Sequence, residues 1–254
     1  MLTWAASVVL TIIIPQLVAL PYVAMHYSSG TGPTKETLLA DKTFILFIVI
    51  GLFVAHLVTL ALAWAVVTRF KKYPFGEALG LSWPSNFGVL KSTGLAILLF
   101  LLAMLIVWQF GGQETDLERI LRSSRAAALV VAFIAAATAP LVEEVVYRGL
   151  LYSAMQRLAG QFASVVVITL LFAGLHVFQY WPDFGAIASI SLLSLILTVI
   201  RARTGRLLPC YVIHLVFNGI QSILIVVSPY IRTLNPAPAP DAVPGLIHSL
   251  FTIF

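Results

Sequence analysis

Charge is what this sequence has least of. Fifteen Lys or Arg and ten Asp or Glu make up 10% of its 254 residues, while 60% are hydrophobic and the mean hydropathy is +1.01. A soluble domain carries about 25% charged residues, and a chain this poor in charge could not cover its own surface in water. A soluble enzyme, a nucleic-acid binder and a disordered tail are therefore disfavoured. The formal net charge of +5 does not point to nucleic acid, because the basic residues sit in short connections between apolar runs. Cysteine is almost absent as well. Cys210 stands alone, which excludes an intramolecular disulfide framework and a Cys-based metal knuckle. No internal repeat is visible.

Long apolar runs are abundant. About 20 such residues cross a bilayer as a helix, and this ruler gives segments near Leu2–Met25, Phe44–Thr68, Gly94–Phe110 and Ala126–Leu141. Three more follow near Ser164–Tyr180, Phe184–Ile200 and Pro209–Ser228. The expected fold is an all-α polytopic membrane protein, a bundle of about seven transmembrane helices with short interfacial helices. The first run has no basic flank and is too long for a signal-peptide core, so it reads as a span. Pro15 and Pro21 are expected to kink it. Gln113–Arg125 is acidic first and basic last, as a helix dipole prefers, and reads as a short interfacial helix or a solvated loop. Asn235–Pro244 is expected to be extended, and Leu246–Phe254 is too short to cross. The chain divides into residues 1–125 (spans and interfacial helix), 126–228 (a polar-studded core) and 229–254 (a tail), all within one membrane domain.

Seven spans place Arg69, Lys71, Lys72, Lys91, Arg148, Arg157, Arg201, Arg203 and Arg206 on one side. Lys35, Lys42, Arg119, Arg122, Arg125 and Arg232 fall on the other. The positive-inside rule then puts the N-terminus in the cytoplasm of a cell and the C-terminus outside.

An ionisable group in hydrocarbon costs at least about 2.5–3.5 kcal/mol, so each one at membrane depth is a functional candidate. Glu143, Glu144 and Arg148 end the fourth span. On a helix, Glu144 and Arg148 are i,i+4 and share a face, acid before base, while Glu143 points about 100° away. One carboxylate is then neutralised and the other is free to face a cavity; by itself the cluster reads as well as a structural ion pair. Phe172 and His176 share a face of the fifth span, and Gly174 between them would let another backbone come close. His214 and Asn218 are again i,i+4, in the seventh. A lone intramembrane His or Asn is more often interhelical glue than a catalyst. Together, buried polar groups must find one another or water. The economical arrangement is one hydrated pocket near the cytoplasmic end, lined by Glu143, His176, His214 and Asn218. His56 has no partner at helical spacing and reads as structural or substrate-contacting. His26 and His248 lie near interfaces and carry no signal.

At these residues the sequence resembles the CPBP family of intramembrane proteases (CAAX proteases and bacteriocin-processing enzymes, also Abi), the superfamily of the type II CAAX prenyl endopeptidase. That family's motifs are a Glu-Glu pair with an Arg four residues on, Phe-x-x-x-His and His-x-x-x-Asn. Here they are Glu143-Glu144…Arg148, Phe172…His176 and His214…Asn218, in order, within about residues 126–228. The resemblance implies peptide-bond hydrolysis in or at the membrane, with a membrane-associated protein or peptide as substrate, CAAX-type and prenylated or not. It makes Glu143 the base that activates water with help from His176. His214 and Asn218 would stabilise the oxyanion, while Glu144, Arg148 and Phe172 hold the site in shape.

Two further readings stay open. Glu143, His176 and His214 could bind one zinc with water in the fourth position; the metal-free glutamate/histidine version needs no cofactor. A non-catalytic member, an immunity or regulatory scaffold binding a peptide or sensor protein, could keep the helices without needing the full polar set. Other protease classes fit poorly. No HExxH helix occurs, no span contains an Asp, and the nearest Gly-x-Ser string, Gly80-Leu81-Ser82, lies in a polar connection before Trp83-Pro84.

Overall fold

The structure is a computed structural model and describes residues 1–28 and 32–234. The tail segments Asn235–Pro244 and Leu246–Phe254, and His248 with them, lie outside the described residues. Among the described residues all regular structure is helical, in the order α1 (Leu2–His26), α2 (Lys35–Ala40), α3 (Lys42–Thr68), α4 (Phe75–Leu79), α5 (Val89–Phe110), α6 (Asp116–Ser123) and α7 (Arg125–Phe133). A π-helical turn, π1 (Ile134–Thr138), then leads through α8 (Ala139–Glu143) into a second π-helical stretch, π2 (Glu144–Leu151). Then follow α9 (Tyr152–Tyr180), α10 (Phe184–Thr204) and α11 (Leu208–Leu234).

Among the described residues, six helical runs are long and apolar enough to cross a membrane. The protein is an all-α, multi-pass membrane protein. One run, Arg125–Tyr180, has 56 residues; straight, it would measure roughly 84 Å, far more than the about 30 Å of hydrocarbon. It is not straight, because Gly160 (φ 77°, ψ 176°) breaks the helix. The run therefore holds both the fourth and the fifth expected spans, which reconciles six runs with seven traverses.

Contacts between connections sort them into two ends. At one end Leu207 N–H donates to the Gly80 carbonyl (2.9 Å), and Arg201 to that of Leu79 (3.2 Å). At the other, Gly112 N–H donates to Asp183 (3.3 Å), Lys35 pairs with Asp116 (2.6 Å), and Arg125 bonds Tyr230. These groupings match the expected alternation. They also refine the charge count. Of the cations at the first end, Arg148 and Arg201 are buried structural groups, and the other seven are exposed.

Close packing follows small residues. The face of α5 made by Ala96, Leu99, Phe100, Ala103 and Val107 packs on Leu193 and Leu197 of α10 and on Cys210, Ile213 and Phe217 of α11. α1 continues as a helix through Pro15 and Pro21 and crosses α3 where a Cβ on Gly51 would lie 2.5 Å from the Pro15 Cα. The close approach expected at Gly174 is absent. Gly174 is exposed with nothing within 4 Å of a would-be Cβ, because it turns away from the face that carries Phe172. Gln113–Arg125 does contain a helix, α6, with a capping box in which Thr115 and Glu118 satisfy each other's backbone N–H groups.

Candidate active site

The site is built where the fourth traverse departs from regular helix. Pro140 has no N–H to return to the Ala136 carbonyl, and its ring crowds that carbonyl. The chain answers with the wider turn π1 just before it. A π turn frees carbonyls for outside partners, and such turns recur at functional sites. The Ala135 carbonyl accepts the Asn218 carboxamide N–H from α11 at 3.0 Å.

The second π stretch carries Glu144 and Arg148, both fully buried. Arg148 donates from Nη1 to Glu144 Oε1 (2.9 Å) and from Nε to Thr198 Oγ1 (3.2 Å). Its Nη2 reaches the Ser194 carbonyl (3.1 Å) and hydroxyl (2.8 Å). Its guanidinium also lies 4.6 Å over the Phe172 ring, a cation–π contact. A buried charge is tolerable only when paired and hydrogen-bonded, and α10 supplies what Glu144 alone could not. Ser194 and Thr198 were legible as an i,i+4 polar pair in the sixth span, but were not picked out by sequence reasoning.

His214, 2% exposed, lies between the two carboxylates. Its Nδ1 is 2.9 Å from Glu144 Oε1, and its Nε2 is 3.7 Å from Glu143 Oε2. A carboxylate only accepts, so Nδ1 carries the hydrogen toward Glu144 and Nε2 is left for the Glu143 side. Glu143 itself keeps 22% of its side chain exposed. The pair of adjacent glutamates is thus divided, one enclosed in an ion-pair network and one facing open space.

Phe172 is the hub of the aromatic packing. Its ring stacks on His176 (4.5 Å) and meets Tyr147 (5.1 Å) and His214 (6.1 Å) edge-on. His176 Nδ1 donates to the Phe172 carbonyl at 2.8 Å, since a carbonyl can only accept. Its Nε2 is therefore the free, basic nitrogen. His176 joins the cluster through Phe172, and no hydrogen bond or ion pair links it to Glu143 among the described residues. No group of three His, Cys, Asp or Glu able to hold a metal occurs among those residues.

The structure also brings in residues that sequence reasoning left aside. His56 of α3 has its Nδ1 2.8 Å from Thr138 Oγ1, a partner 82 residues away that helical spacing could not reveal.

Residues 125–220 match the family model described as Type II CAAX prenyl endopeptidase Rce1-like. That segment is similar to the CAAX-protease family. It contains Glu143, Glu144, Arg148, Phe172, His176, His214 and Asn218. It covers less than half of the chain, and α1 to α6 lie outside it. No curated protein and no solved structure matches the chain. The family match supports a CAAX-type intramembrane endopeptidase in general, acting among membrane-associated substrates.

Proposed function

We propose that the protein is an intramembrane endopeptidase that uses Glu143 as general base on a water molecule. One observation carries the reading. Of two adjacent carboxylates, Glu144 is locked to Arg148, while Glu143 is partly open and has an imidazole nitrogen of His214 3.7 Å away. That distance exceeds a hydrogen bond, and catalytic contacts often tighten only when substrate binds.

In the proposed cycle Glu143 takes a proton from water, and the water oxygen attacks the scissile carbonyl carbon. The carbonyl oxygen becomes an oxyanion. The second N–H of Asn218, not used by the Ala135 carbonyl, donates to it, and so does His214 from Nε2 when it enters the cycle as an imidazolium that has taken its second proton from solvent and keeps it throughout; such donors are worth about 3–4 kcal/mol each. Collapse of the tetrahedral intermediate breaks the C–N bond, and the proton held by Glu143 passes to the leaving amine. His176 assists with its free Nε2. Glu144, Arg148 and Phe172 orient His214 and His176. No step needs a metal.

The substrate class is a membrane-associated protein or peptide, with CAAX-type C-termini as the first candidates. His214 sits six residues into α11, roughly 9 Å from its start, at the end richer in exposed cations. The positive-inside rule makes that end cytoplasmic, so the site opens toward the cytoplasm of a cell membrane.

The test is cleavage of a membrane-anchored reporter peptide by purified protein, with Glu143→Gln and His176→Ala beside wild type. Both variants should lose at least about 100-fold in kcat while staying folded. Full cleavage by both would sink the mechanism. A wild type that binds the peptide yet never cuts it would favour the scaffold reading. Activity lost on exhaustive chelation and restored by zinc would overturn the metal-free version.

A further inference from the structure

We infer that His56, on α3 and outside the family-matched segment, is a positioning residue of the site: with Thr138 it clamps the π1 turn and so sets where Glu143 stands. The Thr138 hydroxyl has one hydrogen and directs it to the Ile134 carbonyl, 3.2 Å away. With that hydrogen so directed, its oxygen accepts from His56 Nδ1 at 2.8 Å in the tautomer that carries its hydrogen there. The result is a relay from imidazole through hydroxyl to carbonyl that spans π1 from its last residue to its first.

A second helix holds the same turn, through the bond from Asn218 to the Ala135 carbonyl. π1 is thus held from α3 and from α11, and Glu143 follows Thr138 by five residues of continuous helix. A short helix is stiff, so rotation or slippage of π1 moves Glu143 and the Asn218 carboxamide together. His56 is 6% exposed, so its ring is enclosed by protein. A histidine that merely filled space between α3 and α8 would not need this bond, and an apolar residue would do instead.

The variants are His56→Asn and Thr138→Ser, which keep the hydrogen bond, and His56→Leu and Thr138→Val, which remove it. All are made in the full chain and reconstituted in the same lipid. Three quantities are read: kcat and KM on the reporter peptide, the thermal midpoint, and the rate at which a hydrophobic carbodiimide labels Glu143, followed by mass spectrometry. His56→Leu and Thr138→Val should lower kcat at least about tenfold with KM within about twofold, as expected when a reacting group is displaced by a fraction of an ångström. They should also change the labelling rate of Glu143 several-fold. His56→Asn and Thr138→Ser should stay close to wild type in both.

The clamp is overturned if the Leu and Val variants keep wild-type kcat and labelling, or if all four variants behave alike. The kcat arm rests on the protease reading, whereas the labelling arm does not. If wild-type protein cleaves nothing, the protease reading fails and labelling alone decides. A split between the bond-keeping and bond-removing pairs then sustains the clamp, and equal rates reject it.

Discussion

Arg148→Met removes four hydrogen bonds, to Glu144, Thr198 and Ser194, from a side chain that is fully buried. Methionine fills most of the vacated volume and adapts to irregular space, so the cost is chiefly electrostatic. Among the described residues Glu144 would be left buried with His214 as its one remaining hydrogen-bond partner, since its Oε2 has no partner there. Removing one member of a buried ion pair costs about 3–5 kcal/mol. For a chain of this size each kcal/mol moves the thermal midpoint by roughly 2–4 °C, which gives a drop of about 6–20 °C. Adding Glu144→Gln removes the uncompensated charge while keeping an acceptor for His214, and should recover most of that loss. The chain offers its own reporter. Cys210 is the single cysteine in the sequence and is 0% exposed, so a maleimide dye that fluoresces on thiol capture reads unfolding directly in detergent or lipid. A single variant within about 3 °C of wild type, or a double variant no more stable than the single, would refute the view that Arg148 exists to neutralise Glu144.

Two further outcomes follow from packing and titration. Burial pushes the Glu118 carboxyl up from 4.5 to about 7, and Asp183 and Glu114 add to this against the Thr115 N–H bond and Arg122. A raised folded-state pKa means the folded chain holds the proton more tightly. The associated stability is complete below the ordinary carboxyl range and is lost as pH rises through about 7. Glu118→Gln keeps the capping box and should flatten this loss of up to about 3 kcal/mol, so its thermal midpoint should fall less than that of wild type between pH 5 and pH 8; equal falls would contradict the assignment. Gly51→Ala puts a Cβ 2.5 Å from the Pro15 Cα and should cost about 1–3 kcal/mol as α1 and α3 separate. Gly174→Ala, with nothing within 4 Å, should leave the midpoint unchanged or raise it slightly; equal effects of the two in the same maleimide assay would disprove the close crossing.

Most of the architecture was legible because a bilayer simplifies the code. Twenty apolar residues must be helical to satisfy their own backbone, so length and composition place the spans. The scarcity of charge makes each polar residue within a span conspicuous, which is why Glu143, Glu144, Arg148, His176, His214 and Asn218 stood out as candidates. Local period also predicted the Glu144–Arg148 pair, since its members are four residues apart. It misled at Gly174, where a small residue faces outward and not toward a neighbour.

What the sequence by itself determined is the class of protein, its alternating spans and the inventory of polar groups on them. The tertiary structure decided how those groups are paired, because that depends on contacts between residues far apart in the chain. Arg148 is satisfied by Ser194 and Thr198 some 46 and 50 residues on, and this leaves Glu143 as the partly open carboxylate. His56 acquires a partner only when α3 meets π1, and π1 exists because Pro140 denies the helix one bond. No periodicity along a single segment encodes a meeting of that kind. It arises when polar groups with no water around them must find each other across helices.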